Sequence, residues 1–433
     1  MDETASQKRL LSLDVFRGIT IAGMVLVNNP GTWSAIYAPL EHAPWHGITP
    51  TDYIFPFFLF IVGVAIPIAL GKRLSEENKR GIYRKIIFRS LSIFATGIAI
   101  SALPLFYIGE TNIPWPLKWI AALSMFAALL FIFLRKFKIA FALIAVWAVI
   151  VIGFYFGGYT IAPYNIGGMR IPGVLQRIAV CYLIVSIIYL NTNWKQQTLI
   201  SIGLLLLYWL LMTVVPVPGC EITTIDDKAC NLAAYLDRTI LTEAHMWRSA
   251  KVFDPEGILS TMTAVVTTLS GVLTGTWLRT EKSEIEKAGG TFFFGTILLA
   301  LGWSWSLLFP LNKSLWTSSY VLYTSGLALL TLSCCYWLID IKGWKKWSKP
   351  FVIFGVNALA LFTFSGIMAR ILGIIKIPVA DGTEISLQGW IFKNVFLSFA
   401  EPINASLAYA VCFILFWLFL MWLLWRRRIF IKV

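Results

Sequence analysis

Apolar runs near twenty residues recur along the whole chain, separated by short polar connections. Twelve are read, at about 12–28, 51–71, 87–104, 117–134, 139–157, 173–191, 198–215, 256–278, 290–310, 316–339, 351–375 and 404–425. At 1.5 Å of rise per residue, each is long enough to cross the ~30 Å hydrocarbon core as a helix. Inside lipid every backbone polar group must be paired within the chain, which helices achieve. The pattern predicts an all-α polytopic membrane protein of about 12 transmembrane helices, forming one transmembrane domain over residues 1–433. Residues 105–157 carry no intramembrane charge beyond Lys118 at a boundary and read as a helix pair lying mostly against lipid. Residues 216–255 form the largest polar loop, and 383–400 read as an interfacial or re-entrant helix. Ser270, Gly271 and Gly275 in the eighth run suit a helix-packing face.

Composition supports the class and charge orients it. Hydrophobic residues make up 58% of the chain and charged residues 13%, outside soluble globular usage. The net charge of +14 is not the footprint of a nucleic-acid partner. Of 36 Lys and Arg, 24 fall in the N-terminal tail and the even-numbered connections, 11 on the opposite side, and Arg17 inside the first run. The positive-inside rule then predicts both termini in the cytoplasm and His42, His46 and His245 on the far side. The tail MDETASQKRL is short and charged and lacks a cleavage site, so it reads as cytoplasmic. The connection KRLSEENKRGIYRKIIFR (72–89) suits a solvated basic loop and a phosphate-attracting one equally well.

Several polar groups stand where lipid would tolerate none. Asp14 and Arg17 open the first run, Asn28 and Asn29 close it, and Asp52 opens the second. His42, Trp45 and His46 lie between them. Ionisable groups at a membrane boundary are costly and so become candidates for function, although helix-end asparagines and loop histidines also serve plain structural roles. Gln176 and Arg177 enter the sixth run, Asp254 and Glu256 the eighth, Asn312 and Lys313 sit in a tight turn, and Asn357 lies within the eleventh run. Arg177 suits snorkelling and a buried partner or ligand about equally. Asp254 suits a helix cap as well as it suits binding an amino-sugar cation, with Glu256 as a first-turn acid. Cys220 and Cys230, in the large loop, suit a disulfide in an oxidising compartment, while the other four cysteines lie in apolar runs. No CxxC or HExxH occurs and the three histidines are scattered, so no metal is expected.

The spacing N-x₁₃-H-A-x-W-x-G-x-T-x-x-D-x-x-F-P, through Asn28, His42, Ala43, Trp45, Gly47, Thr49, Asp52, Phe55 and Pro56, resembles the signature of transmembrane acetyltransferases related to lysosomal heparan-α-glucosaminide N-acetyltransferase. Further matching stretches follow in order: RIPGVLQR (170–177), PVPGC (216–220), AAYLDR (233–238), FDPEGIL (253–259) and NKSLWTSSY (312–320). The resemblance implies transfer of acetyl from cytoplasmic acetyl-CoA to the amine of a glucosamine-type sugar across the membrane. It implies His42 as the catalytic histidine and Asn28 as an active-site asparagine. Asp14, Arg17, Gln176, Arg177 and Asn357 are then expected to hold the donor. Trp45, His46, Asp52, His245, Asp254, Glu256, Asn312 and Lys313 are expected to line the acceptor vestibule. The chain starts near the second span of the lysosomal pattern, without its large luminal domain, and His46 stands where that pattern has Asn. It therefore reads as a bacterial inner-membrane member acting on an envelope amino sugar, surrounded by membrane lipids, with a homodimer left open. Two other readings stand beside it. A sugar or peptidoglycan-fragment transporter would need paired halves, which the sequence does not show. An O-acyltransferase of envelope glycans or lipids would use similar chemistry.

Overall fold

In the computed structural model, residues 10–76, 78–379 and 383–431 are described, the side chains of 72–76 excepted. The expectations for the N-terminal tail and for most of the basic stretch 72–77 lie outside this description. The helices are α1 (Leu11–Asn28), α2 (Ile54–Glu76), α3 (Lys79–Ala102), α4 (Trp115–Phe133), α5 (Phe137–Phe156), α6 (Val174–Asn191) and α7 (Trp194–Val214). They continue with α8 (Leu232–Leu241), α9 (Thr261–Leu278), α10 (Glu284–Trp305), α11 (Ser318–Tyr336), α12 (Lys349–Val356), α13 (Ala358–Ile374), α14 (Leu387–Ile391) and α15 (Pro402–Arg426). A single hairpin, β1 (Lys376–Pro378) with β2 (Glu384–Ser386), pairs antiparallel before α14.

Each of the twelve predicted runs is helical. Among the described residues, ten helices are long and apolar enough by length and composition to span a membrane, or eleven if the bent pair α12–α13 is one span. That pair, read from sequence as one straight run, bends by 72° at Asn357. The Asn357 side chain there donates to Ile429 O at 3.1 Å and accepts from Ile431 N at 2.8 Å, tying the bend to the C-terminal segment. α9 falls short on apolarity because it is threaded with Thr263, Thr267, Thr268 and Thr274, all buried. Their hydroxyls are paired inside the bundle, as in Thr263 to Trp316 O at 2.7 Å. α9 is the central post of the fold. A Cβ on Gly63 of α2 would come within 2.0 Å of Thr268 O, and one on Gly271 within 2.1 Å of Phe60 O. Small residues thus let the two backbones touch, the packing expected of the Gly271 face.

The periphery is simpler. α5 buries only 6% of its span, whereas α4 buries half and packs on α13 through Phe133 and Phe364, so the 105–157 pair is lipid-facing on its α5 side. α14 lies against the start of the 29–53 loop: Gln388 Nε2 donates to Pro30 O at 3.0 Å. The large loop is ordered by α8, N-capped by Asn231, and by the disulfide Cys220–Cys230.

Candidate active site

The signature loop folds around one carboxylate. Thr49 precedes a short helical turn, Pro50–Tyr53, with Pro50 at its first position. In this capping box Asp52 reaches back to Thr49 N at 3.0 Å and accepts the Thr49 hydroxyl at 3.1 Å. Its Oδ2 also takes Ala43 N at 3.1 Å, and Tyr320 OH donates to the Asp52 carbonyl at 2.7 Å. Asp52 is 1% exposed. The remaining oxygen, Oδ1, lies 2.7 Å from His42 Nδ1. An ionised carboxylate accepts only, so a hydrogen bond here requires the Nδ1–H tautomer, which leaves the lone pair on Nε2. The His42 side chain is 51% exposed and open to an incoming group.

Lys313 completes the cluster. Its Nζ lies 3.1 Å from His42 Nε2, 2.9 Å from Nδ1 and 3.5 Å from Asp52 Oδ1. Burial pulls its ammonium below the ordinary lysine range, while Asp52 and Glu256 oppose that shift. Lys313 is held by the turn after α10, where Asn312, fully buried, accepts from Leu315 N at 2.9 Å. Asn312 Nδ2 lies 3.3 Å from His46 Nδ1, and His46 Nε2 lies 2.9 Å from Asp226 Oδ1. Trp45 donates to Ile225 O at 2.9 Å and stacks edge-on against Phe253. The disulfide-closed loop is thereby docked over the signature loop through Trp45 and His46.

The acids Asp254 and Glu256 sit differently from the sequence reading. Asp254 caps no helix: residues 254–257 form a separate turn, and α9 begins only at Thr261. The turn is held from below, because the buried Asp237 accepts Asp254 N at 3.2 Å and Ile258 N at 2.9 Å. A Cβ on Gly257 would lie 2.1 Å from an Asp237 oxygen, so only glycine fits there. Burial pushes the Asp237 carboxyl up to about 6. Arg170 grips Asp254 at 2.9 and 2.6 Å and also pairs with Glu256. Burial works against its charge, but the two acids hold it above the ordinary arginine range. Arg177 donates to Gly257 O at 3.0 Å and lies 5.1 Å over Trp316. His245 faces Met169 O at 2.7 Å, on the Arg170 side and not among the His42 contacts.

The residues expected at the donor fall in two places. Arg17 pairs with Asp14 at 3.0 Å and reaches Gly355 O at 3.5 Å, two residues from Asn357. Gln176 and Arg177 stand at the opposite end of the bundle, beside the 254–257 turn. Arg17 and Asn28 are eleven residues apart on α1, which puts them on one face about 16 Å apart. Asn28 is exposed and forms no side-chain hydrogen bond among the described residues. Sequence reading gave no role to Arg170, Asp226, Asp237 or Tyr320. Arg170 and Asp237 stand inside stretches that matched the family pattern, and that was the available signal.

No group of three or more metal-ligating side chains occurs among the described residues. Residues 9–172 match the family model described as heparan-alpha-glucosaminide N-acetyltransferase, catalytic. The human protein named heparan-alpha-glucosaminide N-acetyltransferase is 27% identical over 418 residues, covering 83% of this chain and 53% of its own length. The mouse protein of that name is 25% identical over 410 residues with the same coverages. The chain thus spans about half the length of these curated relatives. The matched region holds Asn28, His42 and Asp52, so the part of the chain that carries the site is similar to the catalytic region of the heparan-α-glucosaminide N-acetyltransferases.

Proposed function

We propose that this protein is a transmembrane N-acetyltransferase moving acetyl from acetyl-CoA to the amine of a glucosamine-type sugar. The observation that carries the reading is the His42–Asp52 pair, a half-exposed imidazole oriented by a buried carboxylate, beside the Lys313 ammonium. Acyl transfer to an amine needs a base for the proton, a donor for the oxyanion and exclusion of water. His42 Nε2 supplies the base, either by deprotonating the attacking amine or by carrying the acetyl itself. Lys313 and the Asn28 amide supply the charge and the N–H donors that an oxyanion requires. Ordinary amine acceptors arrive protonated, and the acids Asp226, Glu41 and Glu256 around the opening favour that approach.

The donor approaches from the other end of α1. Arg17 shares a face of α1 with Asn28, the line along which the CoA arm would run. In this arrangement acetyl-CoA is cytoplasmic, the acceptor is on the far side, and the protein is a bacterial inner-membrane enzyme. A transporter does not need a buried carboxylate to fix an imidazole tautomer, so that geometry favours transfer over carriage.

The test is one assay: purified protein with labelled acetyl-CoA and glucosamine, read by mass spectrometry. N-acetylglucosamine formed at a rate that depends on His42 supports the reading; no acetylated amine with intact acetyl-CoA overturns it.

A further inference from the structure

Between α3, α6 and α9, at the His42 end of the bundle, runs a cavity of about 430 Å³. Its walls are apolar, with Phe94, Val180 and Val265 among them, and Ile171, Ile184 and Ile258 stand exposed at its rim. From Gln176 to Ile184 it follows α6 for about 12 Å, less than half of a ~30 Å hydrocarbon core. Ile184, exposed at its rim, lies mid-way along the α6 span, so the groove meets the lipid-facing surface there. A site of this volume and lining suits a small ligand with an apolar body. One end is polar, lined by Gln176, Arg177 and Glu256. Arg177 is 2% exposed, and its Nε and Nη1 have no hydrogen-bond partner among the described residues. Buried guanidinium donors left open are costly unless a ligand oxygen takes them. Arg177 lies 5.1 Å over Trp316, whose backbone N–H donates to the Lys313 carbonyl at 3.2 Å, and Lys313 touches His42. The polar end of the groove is thus joined through Trp316 to the turn that carries Lys313.

Building on the acetyltransferase reading, we infer that the acceptor is a lipid-linked amino sugar that enters laterally from the bilayer. Its chain lies in the groove, its linkage oxygens accept from Arg177, and its ammonium passes Glu256 on the way to His42. A water-soluble sugar would have no use for an apolar channel open to lipid.

The test compares methyl and dodecyl glucosaminide as acceptors, with protein in phosphatidylcholine nanodiscs. The expected kcat/KM for the dodecyl acceptor is at least about tenfold higher, a modest share of what burying a chain of CH₂ groups can supply. Val180→Trp, which fills the groove, should bring the ratio close to one; a ratio is insensitive to partial loss of folded protein. An unchanged ratio in Val180→Trp would assign the advantage to bilayer partitioning and overturn the inference, as would equal rates in the unmodified protein. If neither glucosaminide is acetylated, the acetyltransferase reading fails and binding decides the groove. Dodecyl glucosaminide must then bind more tightly than dodecyl glucoside, which lacks the amine, and Val180→Trp must abolish the difference. Binding indifferent to the amine would reduce the groove to a plain lipid contact and sink the proposal.

Discussion

Asp52 and Asp254 are both buried carboxylates, each meeting a cation and several backbone N–H groups, yet they support different things. Asp254 is saturated: Arg170 grips it twice, Trp247 N and Glu256 N donate to it at 2.9 Å, and its side chain is fully covered. No oxygen of Asp254 is left over for a substrate. Asp52 is equally buried, but one oxygen is turned toward an imidazole that is half open to solvent. The same residue type thus serves as a lock where its partner is covered and as an orienting group where its partner is exposed. Partner exposure, more than acid burial, separates chemistry from architecture here.

Asp52→Asn leaves the loop's backbone partners a carbonyl oxygen but removes the charge that fixes the His42 tautomer. Transfer should fall by ~10²–10⁴, as for a disabled general base, with little change in acetyl-CoA affinity by equilibrium dialysis. Asp254→Asn should instead keep most of its rate per folded molecule. An equal loss of rate in both, with unchanged melting, would erase the distinction. Arg170→Ala leaves two carboxylates facing one another in a covered site, and thermal unfolding should report a loss of about 3 kcal/mol, the lower end for a broken buried pair.

Asp237 gives a pH signature to the architectural cluster. Its folded value of about 6 lies above the ordinary 3.8, so the folded protein holds this proton more tightly than the unfolded chain. Its contribution to stability is complete below about 4 and is lost as pH rises to about 6, on the order of 3 kcal/mol. Asp237→Asn should flatten melting temperature against pH in that window. A slope unchanged in the variant would contradict the assignment. The smallest expected effect is His46→Asn: it keeps a polar contact to Asn312 and should cost less than the ~10² of a lost base. If it proves as damaging as Asp52→Asn in the same rate assay, His46 belongs to the chemistry.

Helix positions were legible because twenty-residue apolar runs are a coarse signal. The bend at Asn357 was not, since it depends on a side chain meeting the segment 72 and 74 residues downstream. The central place of α9 was hidden by its threonines, which look polar in sequence but pair internally. At the site, His42, Asp52 and Lys313 were each legible as polar groups at run ends, and the meeting of Lys313 with His42 was expected because both lie at the outer ends of runs. The role of Arg170 was illegible because two acids near a membrane boundary read as a cation site until the neutralising cation is placed. The same holds for Asp237, whose importance comes from backbone N–H groups 17 and 21 residues away.

The central claim is that His42 handles the acetyl group or the acceptor proton while the donor is held elsewhere. Measuring the initial rate of labelled acetyl transfer and the acetyl-CoA affinity on one preparation of His42→Ala tests it most directly. The account predicts a loss of ~10²–10⁴ in rate with donor affinity nearly unchanged. Retained transfer, or a lost rate explained entirely by lost acetyl-CoA binding, would contradict it.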